Sequence, residues 1–234
     1  MLSPGKLFSS DKSEISSFPI EISNPDDLRF LHRLKKDEIR NRLKEFEKKF
    51  QEDDPSIFSE LCFCILTANS SAMSGFRGIE SLGGILLQGT RNALEARLKG
   101  RHRFWRTRAS YIFHTREYLR ETCGLRLKER IASFSDRQQL RDSFAIDPGI
   151  KGIGYKEASH FLRNIGFKGY AILDRHILGC LARLGVVDWS GKGLTPVHYR
   201  RIESELKDFA LSVGIDMNEL DLLLWWSRTG MILK

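Results

Sequence analysis

The chain has 234 residues, 41% of them hydrophobic and 29% charged, and carries a net charge of +8. That length buries roughly 70–75% of the unfolded surface, which suits one large domain or two small lobes. No apolar run approaches the roughly 20 residues of a membrane-spanning helix, so a membrane protein is not expected, and the basic balance favours polyanions, DNA the commonest of them.

Residues 1–18 alternate Ser, Gly, Lys and Asp without a continuous apolar stretch, so no secretory signal is expected there. Asn24-Pro25-Asp26 opens an amphipathic helix running to about residue 51, with Leu31, Leu34, Ile39, Leu43, Phe46 and Phe50 on one face. Asp54-Pro55 stops that helix and restarts another over 56–67, whose Phe58, Leu61, Cys62, Ile65 and Leu66 suit a central core position. Helices are predicted over 72–87, 91–98, 105–120, 127–134 and 136–145. Residues 147–166 form a hairpin segment, and 168–173 is the one short piece that reads as extended. A helix over 175–184 closes on Gly185; an irregular connector with Trp189, Gly191 and Gly193 leads to helices over 196–213 and 217–227. The expected fold class is all-α.

Cys62, Cys64, Cys123 and Cys180 match neither a zinc site nor a small disulfide framework. They read as structural thiols in a reducing compartment. From Arg97 to Arg108 there are six Lys and Arg and no acid, with His102, Phe104 and Trp105 interleaved. Clustered cations with aromatics suit phosphate contact and base stacking, although a charge run is often only a solvated face.

The most informative stretch is Pro148-Gly149-Ile150-Lys151-Gly152-Ile153-Gly154-Tyr155-Lys156. Gly152 and Gly154 allow positive φ and close approach of another molecule. The backbone N–H groups that open the next helix form a site fit for a phosphate. Taken alone, Gly-x-Gly also reads as an ordinary helix–helix turn.

With its context, Lys156-Glu157-Ala158-Ser159-His160-Phe161-Leu162-Arg163-Asn164 and then Ala171-Ile172-Leu173-Asp174-Arg175-His176, the stretch resembles the helix-hairpin-helix DNA glycosylases. Within them it is most similar to 8-oxoguanine DNA glycosylase/AP lyases of the archaeal and thermophile type. The spacing of eighteen residues from Lys156 to Asp174 belongs to that resemblance. It implies that Lys156 is the nucleophile and Asp174 its electrostatic partner.

The chemistry suits those residue types. Breaking an N-glycosidic bond builds positive charge on the sugar, which a carboxylate stabilises. A neutral amine can attack the anomeric carbon and form a Schiff base, after which β-elimination nicks the strand. The lysine must first lose its charge, by desolvation or beside a second cation such as Lys151. Asp174 also directly precedes a helix, where it would serve as an N-cap worth about 1 kcal/mol.

The resemblance spans about residues 58–234 and carries further expectations. It implies that Arg103 and Phe104 meet the DNA, with Phe104 at the base opposite the lesion. His176 would contact phosphate, and Asn69 would fill the gap left by the extruded base; Asn69 also reads as a helix C-cap. Trp225 would line the base pocket, and Lys234 would tell 8-oxoguanine from guanine, because oxidation turns the N7 acceptor into a donor. Backbone carbonyls of Pro148, Ile150 and Ile153 are the expected ligands of a structural K+ or Na+ at the hairpin.

No cofactor is otherwise implied. Only Cys180 follows the hairpin, so no iron–sulfur cluster is expected. Two helical lobes are expected, with the active site in the cleft between them. One is a helical barrel over 56–168 that carries the hairpin, and the other combines 26–55 with 169–234. Residues 1–25 are an N-terminal extension, disordered or peculiar to this protein. The expected substrate is double-stranded DNA with a damaged base, handled by a monomer in the cytoplasm.

Overall fold

The computed structural model describes residues 18–233. Residues 1–17, most of the expected extension, and Lys234, the expected base-discriminating residue, lie outside the described residues. Among the described residues there are eleven α-helices, one short 3-10 turn and no strand. In chain order they are α1 (Pro25–Lys49), α2 (Asp54–Thr67), α3 (Ala72–Leu82), α4 (Arg91–Leu98), α5 (Trp105–Cys123), α6 (Leu127–Ala132), α7 (Arg137–Ala145), α8 (Tyr155–Asn164), α9 (Arg175–Arg183), α10 (Pro196–Val213) and α11 (Met217–Thr229). Among the described residues no helix is long and apolar enough to cross a membrane.

Most helices start where a short polar side chain caps them. Asn24 accepts from the backbone of Asp26 and Asp27, and the Asp27 side chain returns a bond to the Asn24 N–H, a reciprocal capping box. Asp53, Ser71, Thr90, Asp136, Thr195 and Asp216 cap α2, α3, α4, α7, α10 and α11 by accepting backbone N–H groups, without the return bond. The predicted helix over 72–87 is shorter than expected. It ends at Leu82 because Gly83 turns to φ +38, and a 3-10 turn, Gly83–Ile85, replaces its last part.

The buried apolar residues fall into two clusters. The first gathers α2 to α8, from Ile57 to Ile165 with Tyr170, around the nearly continuous apolar helix α2. The second joins Ile22, Leu28, Leu31, Ile39 and Phe46 from before and within α1 to the chain after Ala171. Buried polar pairs cross from one to the other. Arg141 of α7, fully buried, bonds Glu203 of α10 at 2.7 Å and lies over the rings of Tyr155, Tyr170 and Tyr199. Arg163 of α8 pairs with Asp221 of α11 at 3.4 Å.

The segment 169–173 is extended but pairs with no strand. Its backbone donors go to side chains instead: Gly169 to Asn218, Ala171 to Glu203, Ile172 to Asp221 and Leu173 to the Tyr199 hydroxyl. Four donors from one short segment are thus satisfied by α10 and α11, as a buried backbone requires. This clamp fixes where α9, and therefore Asp174, begins.

Candidate active site

The hairpin between α7 and α8 rests on one face of α5. Tyr111, Thr115 and Tyr118, spaced four and three residues apart, share that face. Thr115 Oγ1 accepts the Lys151 N–H at 2.9 Å. Tyr118 donates to Asp147 at 2.8 Å, Arg130 pairs with the same carboxylate at 3.0 Å, and Asp147 accepts the Gly149 N–H at 2.8 Å. Tyr111 packs where a β-carbon on Gly152 would lie, 2.5 Å away, and Gly152 has φ +78. Both facts require glycine there.

Gly154 differs from expectation. Its φ is −110, so it does not use a left-handed conformation, and a β-carbon would meet only Glu157 Oε2 at 3.5 Å. Its part is to start α8 without a side-chain cap. The first N–H groups of α8 therefore stay free to meet an anion.

Lys156 and Asp174 line the same inner pocket, together with Thr67, Ser70, His160, Arg163, Asp221 and Trp225. A wider cleft continues outward from it, lined by Asn69, Met73, His176, Trp189, Met231 and Leu233 among others. Five of the residues expected in the site, Asn69, Lys156, Asp174, His176 and Trp225, thus share one cleft. Gly152, Arg103 and Phe104 do not line it.

Asp174 Oδ1 accepts both the His176 and Ile177 N–H groups at 2.8 Å. Its other oxygen makes no hydrogen bond among the described residues. The side chain is therefore a cap through one oxygen and available to the pocket through the other. Lys156 Nζ pairs with Glu157 Oε1 at 2.9 Å rather than with Asp174. His176 and Trp225 meet edge to face at 5.9 Å, and the Trp225 indole N–H is buried without a partner. Asp221, fully buried at the back of the pocket, has its pKa pushed up to about 6 by burial, against the pull of Arg163 and the Ile172 N–H.

The basic run divides in two. Arg97, Lys99, Arg101, Arg103 and Arg106 are exposed. Arg106 lies 4.1 Å from the Trp105 ring centre, and Arg103 lies 4.9 Å from that of Phe104. Phe104 itself is half-buried, with Arg108 on another side at 5.7 Å. Arg108 is buried and bonds the Ala68 carbonyl. His102 is buried too; Nε2 contacts the Leu66 carbonyl at 2.8 Å while Nδ1 accepts the Phe104 N–H at 3.1 Å. Burial lowers its pKa, in part offset by the Leu66 bond and reinforced by Arg108. Together these residues tie the start of α5 to the end of α2, where exposed Asn69 adopts φ +56.

Glu157, Tyr111, Thr115, Tyr118 and Asp221 are the site residues that sequence reasoning missed. Of these, only the three on α5 had a readable signal, their helical spacing.

Residues 39–215 match a family model described as 8-oxoguanine DNA glycosylase. The chain is 42% identical over 197 residues to an 8-oxoguanine DNA glycosylase/AP lyase of Korarchaeum cryptofilum, covering 84% of this chain and 90% of that one. A protein of the same name from Methanocaldococcus jannaschii is 42% identical over 200 residues, covering 85% and 93%. A crystal structure of the Methanocaldococcus jannaschii 8-oxoguanine glycosylase/lyase with a 15mer DNA containing 8-oxoguanine superposes with a TM-score of 0.81 at 39% identity, covering 89% of this chain and all of that one. The 8-oxoguanine DNA glycosylase of Thermotoga maritima gives 0.80 at 32%, covering 90% and 98%.

Proposed function

The chain belongs to the 8-oxoguanine DNA glycosylase family, and on that premise we propose that it excises 8-oxoguanine from DNA with Lys156 as nucleophile and then nicks the abasic site. The observation that carries this reading is that Lys156 and Asp174, brought from two helices, line one pocket deep enough to take Trp225 and Asp221 with them. The free oxygen of Asp174 faces a sugar that becomes cationic as its bond to the base breaks. The amine of Lys156 attacks that carbon, the base leaves, and the Schiff base that follows makes the neighbouring sugar proton acidic. β-Elimination then breaks the strand.

Around that centre the remaining assignments rest on the resemblance in sequence. The uncapped start of α8 at Gly152 and Gly154 takes a phosphate, with His176 beside the same strand. The carbonyls of Pro148, Ile150 and Ile153 are the ligands for a monovalent cation; none accepts a bond among the loop hydrogen bonds of the described residues. Arg103 and Phe104 contact the opposite strand. Lys234 follows Leu233, which lines the cleft, and acts in telling 8-oxoguanine from guanine. The enzyme works as a monomer on chromosomal DNA in the cytoplasm.

Borohydride trapping on a duplex containing one 8-oxoguanine tests the reading. Wild-type protein forms a covalent adduct and Lys156→Gln forms none while still binding the duplex. An adduct that persists in that variant assigns the chemistry to another amine. Asp174→Asn keeps an amide oxygen for both cap bonds, so it slows single-turnover excision by orders of magnitude with little change in melting temperature.

A further inference from the structure

A lysine nucleophile must shed a proton before it can attack, and the pocket has to supply somewhere for that proton to go. Among the described residues, Glu157 is the one ion-pair partner of Lys156, with Oε1 2.9 Å from Nζ. Neighbouring residues on a helix ordinarily point apart, so the contact exists because both side chains bend to one side at the start of α8. Glu157 is the third residue of that helix, from which an acid commonly reaches back to the N-cap N–H. Here its Oε2 stands beside Gly154 without bonding that N–H, and Oε1 goes to the lysine. The Glu157 side chain is 14% exposed and that of Lys156 31%.

Asp174 and Glu157 are therefore in different states of use. Asp174 Oδ1 is fixed by two backbone N–H groups. Glu157 has no such backbone donors. We propose that Glu157 is a further catalytic residue, the group that takes the proton from Lys156 and later returns it to the departing base. This rests on Lys156 being the nucleophile.

In the first step an Nζ–H bond breaks and an Oε1–H bond forms, leaving a neutral amine and a carboxylic acid. The amine lone pair then forms the Nζ–C1′ bond while the C1′–N9 bond breaks, its electron pair leaving with the base. The base anion takes the Glu157 proton, and the carboxylate is restored. Water in the open cleft favours the charged pair. DNA that closes the cleft removes this solvation and favours the neutral one. Other charged and titratable groups bear on the pair from the surrounding elements: Arg108 of α5, His160 and Arg163 further along α8, Asp174, Arg175 and His176 at the start of α9, and Asp221 of α11.

The test is single-turnover excision and trapping from pH 6 to pH 10 with wild type, Glu157→Gln, Glu157→Asp and Lys156→Gln, with melting temperature and duplex affinity measured on each. Glu157→Gln is expected to excise about 100-fold more slowly at pH 7. It should recover in part as pH approaches about 10, where a lysine loses its proton to water, the remaining deficit being the proton that the departing base no longer receives. Glu157→Asp should fall between the two. If Glu157 only holds an ammonium in place, removing its charge makes the lysine easier to deprotonate. Glu157→Gln as fast as wild type, or faster, at pH 7 therefore overturns the proposal. Should the Gln variant fail to fold, an Asp variant with the wild-type rate and pH profile overturns it equally. Trapping by Lys156→Gln would instead remove the premise about the nucleophile, so the two failures are distinguishable.

Discussion

Tyr118 covers Gly149 so closely that a β-carbon on the glycine would lie 2.4 Å from three carbons of the ring. The ring cannot swing away cheaply, because its hydroxyl is held by Asp147, which also pairs with Arg130 and accepts the Gly149 N–H. The hairpin between α7 and α8 is thus seated on α5 by packing as well as by hydrogen bonds. Gly149→Ala should lower stability by about 1–3 kcal/mol, the usual cost of forcing an extra methyl into a packed site. Denaturant titration reads this directly, and a variant as stable as wild type would mean that the hairpin is looser than this packing implies.

The two halves of the basic run should respond differently to substitution. Replacing two of the exposed residues Arg101, Arg103 and Arg106 by Ala should weaken binding to damaged and undamaged duplex alike. The slope of log affinity against log salt should flatten by about 0.9 for each phosphate that is no longer neutralised. Arg108 is buried and holds the Ala68 carbonyl, so Arg108→Ala should cost stability and leave that slope nearly unchanged. Equal salt slopes for all the variants would place the exposed arginines in bulk solvent.

Asp221 should leave a signature in stability against pH. Burial raises its pKa from 3.8 to about 6, so between those values the folded protein holds a proton that the unfolded chain releases. Stability from this group is present below about pH 4 and is lost as pH rises through about 6, a change on the order of 3 kcal/mol. Asparagine cannot titrate and resembles the protonated acid. Whatever constant offset Asp221→Asn carries, its stability relative to wild type should improve from pH 4 to pH 7. A difference that stays flat over this range would show that Arg163 keeps the carboxylate ionised throughout.

How much of this was legible depended on whether the partners were local. The starts of α1 and α9 could be read because Asn24 and Asp174 cap residues two and three positions ahead. The segment 169–173 was read as extended without any sign of its partners, since Asn218, Glu203, Asp221 and Tyr199 lie 26 to 49 residues away. Tyr111, Thr115 and Tyr118 are visibly on one helix face, but no sequence rule says that the face carries a hairpin. Glu157 was hidden differently. It sits beside Lys156 in the chain, yet adjacent helical residues do not normally meet.

Asn69 combines a strained backbone with an exposed amide, and the two can be separated. It follows the C-cap of α2 with φ +56, a left-handed conformation that asparagine tolerates and most residues do not. Its carboxamide points to no partner among the described residues, and the residue lines the outer cleft. Glycine at this position keeps the backbone at ease and removes the amide. Alanine removes the amide and adds strain of roughly 1–2 kcal/mol. If Asn69 only ends the helix, Asn69→Gly should excise 8-oxoguanine like wild type, and Asn69→Ala should differ from it mainly in melting temperature. If Asn69 fills the gap left by the extruded base, both variants should lose excision from a duplex to a similar degree despite their different stabilities. Both should still nick a preformed abasic site, where no base has to be extruded. We expect the second pattern; full duplex activity in Asn69→Gly would reduce Asn69 to a helix terminator.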